Sequence, residues 1–261
     1  MFGPVLAFDI ETIPDIEMGR KLFPDGDMSD DDIANLLFAK SRQKSGSDFQ
    51  PLHLHKVVAI SVTLKQAGNI KVWSIGSEAS SEKEIIQRFY DGIEKYSPTL
   101  VTWNGSGFDL PVLHYRALFH GINAQAYWEV GDNQRDYKYN NYIGRFHWRH
   151  IDLMDVLAGY QMRGRAPLDE IAVMLGYPGK LGMSGDKVWP AYQAGEIKKI
   201  RDYCETDALN TFLVYLRFEL MRGNLYPETY EKELEKIKEY LKHEISTNNS
   251  QHFKDFLEAL E

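Results

Sequence analysis

One cysteine in 261 residues, Cys204, leaves no partner for a disulfide and no set of thiolates for a zinc cluster. Long hydrophobic runs are also missing: no stretch approaches the length of a membrane span, so no membrane partner is expected. Positive charge is in deficit, with 30 Lys and Arg against 38 Asp and Glu and a formal charge of −8. That balance argues against a protein that coats itself with nucleic acid. The objection weakens if several acids hold metal ions, because bound cations reverse the local field. No repeat or low-complexity segment appears. The opening residues run straight into an apolar stretch with no basic leader, so a reducing, cytoplasmic setting is the expectation. What remains is ordinary for a globular chain, 43% hydrophobic and 26% charged.

The first unusual stretch is VLAFDIET, residues 5 to 12. Four apolar residues are followed by Asp9 and Glu11, which share one face of a strand while Ile10 points the other way. Their α-carbons should lie about 6.6 Å apart, within reach of one divalent cation. Unpaired, the two carboxylates would repel each other and resist desolvation. A positive charge is expected between them.

A polar, acidic insert follows, taken here as residues 13–55. Its one helix signal is Ser29 followed by Asp30, Asp31 and Asp32, a cap with acids in the first turn. A metal role for that triplet competes poorly. His53 and His55 alternate as on a strand, and with no acid or cysteine spaced to join them a structural role is favoured. Lys56–Leu64 and Ile70–Ile75 read as a hairpin about a Gly68-Asn69 turn. Helical spacing marks residues 81–95. Leu100–Trp103 is a short buried strand, Asp109–His120 a helix stopped by Gly121, and His150–Leu153 another strand end. Leu168–Leu175 is a helix closed by Gly176, and residues 196–222 form a long helix stopped by Gly223. The tail, residues 224–261, carries Tyr230, Leu234, Ile237 and Leu241 on one helical stripe and is expected to dock on the body. The pattern is a mixed α/β layer with an antiparallel hairpin beside parallel strands.

Two further acidic motifs stand out. In WNGSGFDLP, residues 103–111, a strand end leads through a glycine loop into a helix. Asp109 as an N-cap and Pro111 in the first turn are the plain reading. It leaves Asn104 and Phe108 unexplained at the end of a sheet strand, where open α/β sheets place their sites. In YCETD, residues 203–207, Tyr203 and Asp207 share a helix face, beside a packing stripe of Ile200, Cys204, Ala208, Thr211 and Tyr215.

In this order the three motifs resemble those of DnaQ-like 3′–5′ exonucleases with four acids and a tyrosine (the DEDDy subgroup), and among them the proofreading domain of family B DNA polymerases. HIDLMDVL at 150–157 and LDEIA at 168–172 add to the likeness, which runs from about residue 4 to 222. It implies a ribonuclease H-like fold over residues 1–223, with the helical tail outside it, and a stand-alone relative of the proofreading domain.

The resemblance further implies a catalytic set of Asp9, Glu11, Asp109, Tyr203 and Asp207. The four acids would hold two Mg²⁺ or Mn²⁺ ions: Asp9, Glu11 and Asp207 the one that binds the attacking water, with Asp9 bridging to the second and Asp109 supporting it. Tyr203, whose ordinary pKa is near 10, would orient the water rather than act as a base. Asn104, Phe108, Thr12 and Ile10 would touch substrate. His150 and Asp152 are read equally as support for the site or as strand-end packing. The loop PGKLGMSGDKV, 178–188, with Lys180 and Lys187, is read equally as a backbone contact or a plain connection. Single-stranded DNA is the first substrate expected. RNA is the alternative, and a non-catalytic nucleic-acid-binding module on the same fold a third, against which all five residues are present.

Overall fold

The computed structural model describes residues 3–24 and 26–261. Its centre is a five-stranded sheet of β1 (Val5–Pro14), β2 (His55–Gln66), β3 (Asn69–Ser74), β4 (Thr99–Thr102) and β5 (His150–Asp152), ordered β3-β2-β1-β4-β5. The first three strands pair antiparallel, and β4 and β5 add in parallel. This is the mixed α/β sheet of a ribonuclease H-like exonuclease fold.

Eleven α-helices occur among the described residues. The insert holds α1 (Ile16–Leu22) and α2 (Asp30–Ser45); α3 (Glu82–Tyr96) precedes β4, α4 (Asp109–His120) and α5 (Gln125–Trp128) come between β4 and β5, and α6 (Leu153–Leu157) follows β5. Then come α7 (Leu168–Met174), α8 (Val188–Gln193), α9 (Ile197–Met221), and the tail pair α10 (Pro227–Asn248) and α11 (Gln251–Leu260). None is long and apolar enough to cross a membrane.

The core divides across the sheet. One face carries Phe8, Ile10, Ile60 and Val62 against α3 and α4, while Ala7, Val101 and Ile151 pack under α9 with Phe212 and Leu213. Alternation along β1 forces this division, since neighbouring side chains point to opposite faces. Helix α9 is buried on nearly every side from Tyr203 to Glu219, because the tail covers its outer surface. Tyr230, Ile237 and Leu241 of α10 join Phe253 and Phe256 of α11 in that packing, so the stripe docks as expected. Tyr240 also closes the free edge of the sheet: its hydroxyl accepts from Val72 N at 3.0 Å and donates to Val72 O at 2.8 Å. Edge strands left open invite pairing with other chains.

Three local expectations change. The hairpin turn is Ala67-Gly68, both at positive φ, and Asn69 already pairs with Gln66 in the ladder. His53 lies in a single 3₁₀ turn, Leu52–Leu54, and only His55 begins a strand. His55 is held by the Thr12 hydroxyl at 2.8 Å and the Gln50 carbonyl at 3.2 Å. Strand β1 does not end at its carboxylates but continues to Pro14, with a bulge between Glu11 and Thr12.

Candidate active site

The bulge in β1 is where the site begins. A bulge bends its strand and re-aims side chains, and this one follows Glu11 directly. Asp9 is half-buried and Glu11 buried. At the end of β4 the chain turns through Asn104, which sits in the left-handed region at φ 67°. Two glycines make that turn possible by close approach. A Cβ on Gly105 would stand 2.3 Å from the Thr102 hydroxyl oxygen, and one on Gly107 would stand 2.4 Å from the Asn104 side chain. Asp152 pins the loop by accepting from the Asn104 and Ser106 amides at 2.9 and 2.8 Å. His150 holds the Thr102 hydroxyl at 2.9 Å. The pair therefore supports the loop rather than merely ending a strand.

The loop delivers Asp109 into α4, and the capping expectation fails. Phe108 holds the N-cap position and no side chain caps the helix. Asp109 is free for other work, and it is buried.

Four carboxylates converge here from three elements. Asp9 feels Glu11, Asp109 and Asp207, and Glu11 feels Asp207 and Asp109. Burial, then mutual repulsion, pushes Asp9 and Glu11 well above the usual carboxylate range. Burial raises Asp109 to about 7. Asp207 rises to about 6 through burial, opposed by the Tyr203 hydroxyl and by Lys180. The Asp207 Oδ1 is buried with no hydrogen-bond partner. Among the described residues Lys180 is the one cation that eases Glu11 and Asp207, and its Nζ lies 5.9 Å from the Tyr203 ring centroid. The connecting loop thus brings Lys180 to the site, whereas the Lys187 Nζ turns back to the Gly182 carbonyl. Burial, then the nearby acids, also pushes the Tyr203 hydroxyl above its ordinary value. It stays protonated at neutral pH.

The sequence offered Cys204 only as packing, yet its donor atom lies within 4.8 Å of those of Asp9 and Glu11. Burial and the acids push its thiol well up, so it remains a donor and reaches the Asp9 carbonyl at 3.3 Å. That leaves a donor set made of carboxylate oxygens, several uncompensated and one with an orphaned oxygen. Such a set fits a hard divalent cation such as Mg²⁺ or Mn²⁺.

Beside the carboxylates lies a cavity of about 590 Å³, lined by Ile10, Glu11, Thr12, Phe49, Phe108 and Trp189 among others. Ile10 and Thr12 fall on this wall. Phe49 and Trp189 had no signal in the sequence. Phe49 comes from the insert and stands 5.5 Å from Phe108 and 5.3 Å from His55, ring centre to ring centre. The insert is thus a wall of the site.

A family model described as a predicted 3′–5′ exonuclease related to the exonuclease domain of PolB matches residues 47–260. The match begins beyond Asp9 and Glu11 and runs through the tail. Among curated proteins, the catalytic subunit of DNA polymerase epsilon from Kluyveromyces lactis is 30% identical over 145 residues, 52% of this chain and 6% of that protein. Its Schizosaccharomyces pombe counterpart is 28% identical over 144 residues, with the same two coverages of 52% and 6%. DNA polymerase 1 of Saccharolobus solfataricus is 32% identical over 114 residues, 43% of this chain and 11% of the polymerase. The chain spans only a small part of the length of these relatives.

Proposed function

The chain belongs to the predicted 3′–5′ exonucleases related to the exonuclease domain of PolB, and we propose that it removes nucleotides one at a time from the 3′ end of single-stranded DNA. The carrying observation is the convergence of Asp9, Glu11, Asp109 and Asp207 without matching cations, beside an aromatic-walled cavity. Asp9, Glu11 and Asp207 would hold one divalent ion, and Asp9 with Asp109 a second. When bound, the ions supply charge neutralisation and Lewis acidity for attack on a phosphodiester.

This chain's own groups do the rest. Tyr203, protonated and beside Asp207, donates toward the attacking water and fixes its direction. Lys180 adds one positive charge at the rim, where a phosphate would sit. Phe108 and Phe49 offer faces for the terminal base, since stacking holds any unpaired base. The cavity is lined on the insert side by Phe38, Phe49 and Gln50, which favours a frayed or single-stranded end over a paired one.

The test is a panel of 5′-labelled single strands of both sugars, with Mg²⁺ or Mn²⁺. Stepwise shortening of the deoxyribose strand from its 3′ side is expected, faster than that of the ribose strand. Faster loss of RNA would move the substrate to the alternative class, and internal fragments at the outset would make the enzyme an endonuclease.

A further inference from the structure

A second depression of about 490 Å³ opens on the far side of the loop that carries Asp109. Ser106 and Gly107 line it, while the next residue, Phe108, lines the cavity beside the carboxylates. The two depressions therefore flank one short loop. Arg145, Arg165 and Trp128 line the outer one. A small neighbouring cleft shares Ser106 and Arg145 with it and adds Phe146.

The charge here runs against the rest of the molecule. Residues 128–165 carry six Lys or Arg against five Asp or Glu, in a chain of net charge −8. Asp152 and Asp155 are buried, and Asp152 is committed to the loop amides. Asp155 takes both Arg165, at 2.6 Å, and Arg145, at 3.1 Å. Two guanidinium groups on one carboxylate leave a positive excess, and the Arg145 side chain is 52% exposed. Around it stand aromatic rings that stay largely exposed, Trp128 at 51%, beside His114 and Tyr127, and Phe146 at 70%, edge-on to Tyr160. Cations interleaved with exposed aromatic rings suit a flexible polyanion that carries bases. An acidic or apolar protein partner would use one of these features and not both.

We propose that this surface is a track for the single strand behind its 3′ end, with Arg145 meeting the phosphate backbone and Trp128 and Phe146 stacking bases. The inference rests on the exonuclease reading for its direction: the terminal nucleotide sits beside Glu11 and Phe108, and the chain crosses the loop over Ser106 and Gly107. The substrate class that follows is a strand several nucleotides long, held more tightly than a dinucleotide.

The experiment measures affinity for 5′-fluorescent oligothymidylates from two to eight nucleotides, using the full chain in excess chelator to stop hydrolysis. Trp128→Ala should weaken the octanucleotide by about 5- to 150-fold, the range for one lost stacking partner. The dinucleotide should change far less. Arg145→Ala should flatten the salt dependence of octanucleotide binding by roughly 0.7 in the log–log slope, the value for one phosphate contact on a single strand. Arg145→Lys, which retains the charge, should keep the slope.

Equal losses for the two lengths, no loss at either, or a slope lost equally in the Lys and Ala variants would overturn the track. Nuclease assays on the unmodified chain separate the two ideas. Length-dependent loss without any metal-dependent shortening would leave the track standing and remove the exonuclease reading. Shortening without length-dependent loss would do the reverse.

Discussion

Two groups of buried acids in this chain are treated in opposite ways. Asp15, at the start of the insert, and Glu82, at the start of α3, are met by a guanidinium: Arg116 donates to both, at 2.7 Å from its Nε to Glu82. His120 approaches Glu82 at 2.8 Å, and the Val57 amide donates to it at 2.7 Å. Asp9, Glu11, Asp109 and Asp207 receive no guanidinium. Their surroundings are each other, a thiol, a phenol, the Ile10 backbone at Asp109 and the distant end of Lys180. A fold that supplies counterions at one place has the means to supply them at another. Charges left unmatched beside a cavity are the ones our proposed function assigns to a cation from solution.

Breaking the unmatched group should cost the most activity and the least stability. Asp207→Ala should take hydrolysis to background and weaken metal binding. In chelator, Asp9→Asn should be at least as resistant to urea as the unmodified protein, because it removes a repelling charge. Breaking the matched group should do the opposite. Arg116→Ala strands two buried carboxylates and should cost about 3–5 kcal/mol in urea unfolding, while the site acids are untouched.

A finer cut falls within the site itself. Tyr203→Phe keeps the ring in its packing and removes only the hydroxyl. Positioned groups that also move a proton contribute about 10²–10⁴ in rate, so one that only orients should cost about 10² or less. Single-turnover rates should fall while metal affinity stays near that of the unmodified protein. An unchanged rate would remove Tyr203 from the reaction.

The smallest effect is a pH dependence of the metal-free protein. Asp109 binds its proton up to about pH 7 in the folded chain, whereas an unfolded Asp releases it near 3.9. Between these values the folded state binds more protons than the unfolded one, so stability falls as pH rises. Measured against Asp109→Asn in chelator, the unmodified protein should lose ground from about pH 4 to 7. Mg²⁺ or Mn²⁺ should restore it.

The acids of both groups were present in the sequence, but only one group was legible there. Strand and helix periods put Asp9 with Glu11 and Tyr203 with Asp207, and the resemblance of the three short motifs to a known family implied that these pairs join Asp109. Asp15, Glu82 and Arg116 are joined only by the tertiary fold, across 101 residues in the longest case, and no local pattern announces them. The same limit hid Phe49 and Trp189, which become walls of a cavity only when the insert and α8 fold over β1. The hairpin turn shifted by one residue because Ala67, at φ 50°, takes a left-handed position that alanine does not advertise.

The central claim is that the unmatched carboxylates are held for divalent cations that serve 3′-end hydrolysis. The direct measurement follows a 5′-labelled single-stranded oligonucleotide with the chelator-treated protein as Mg²⁺ or Mn²⁺ is returned. The account predicts no cleavage in chelator and, on adding metal, a ladder that shortens one nucleotide at a time from the 3′ side. Full activity in excess chelator, or none at any metal concentration with the fold intact, would contradict it.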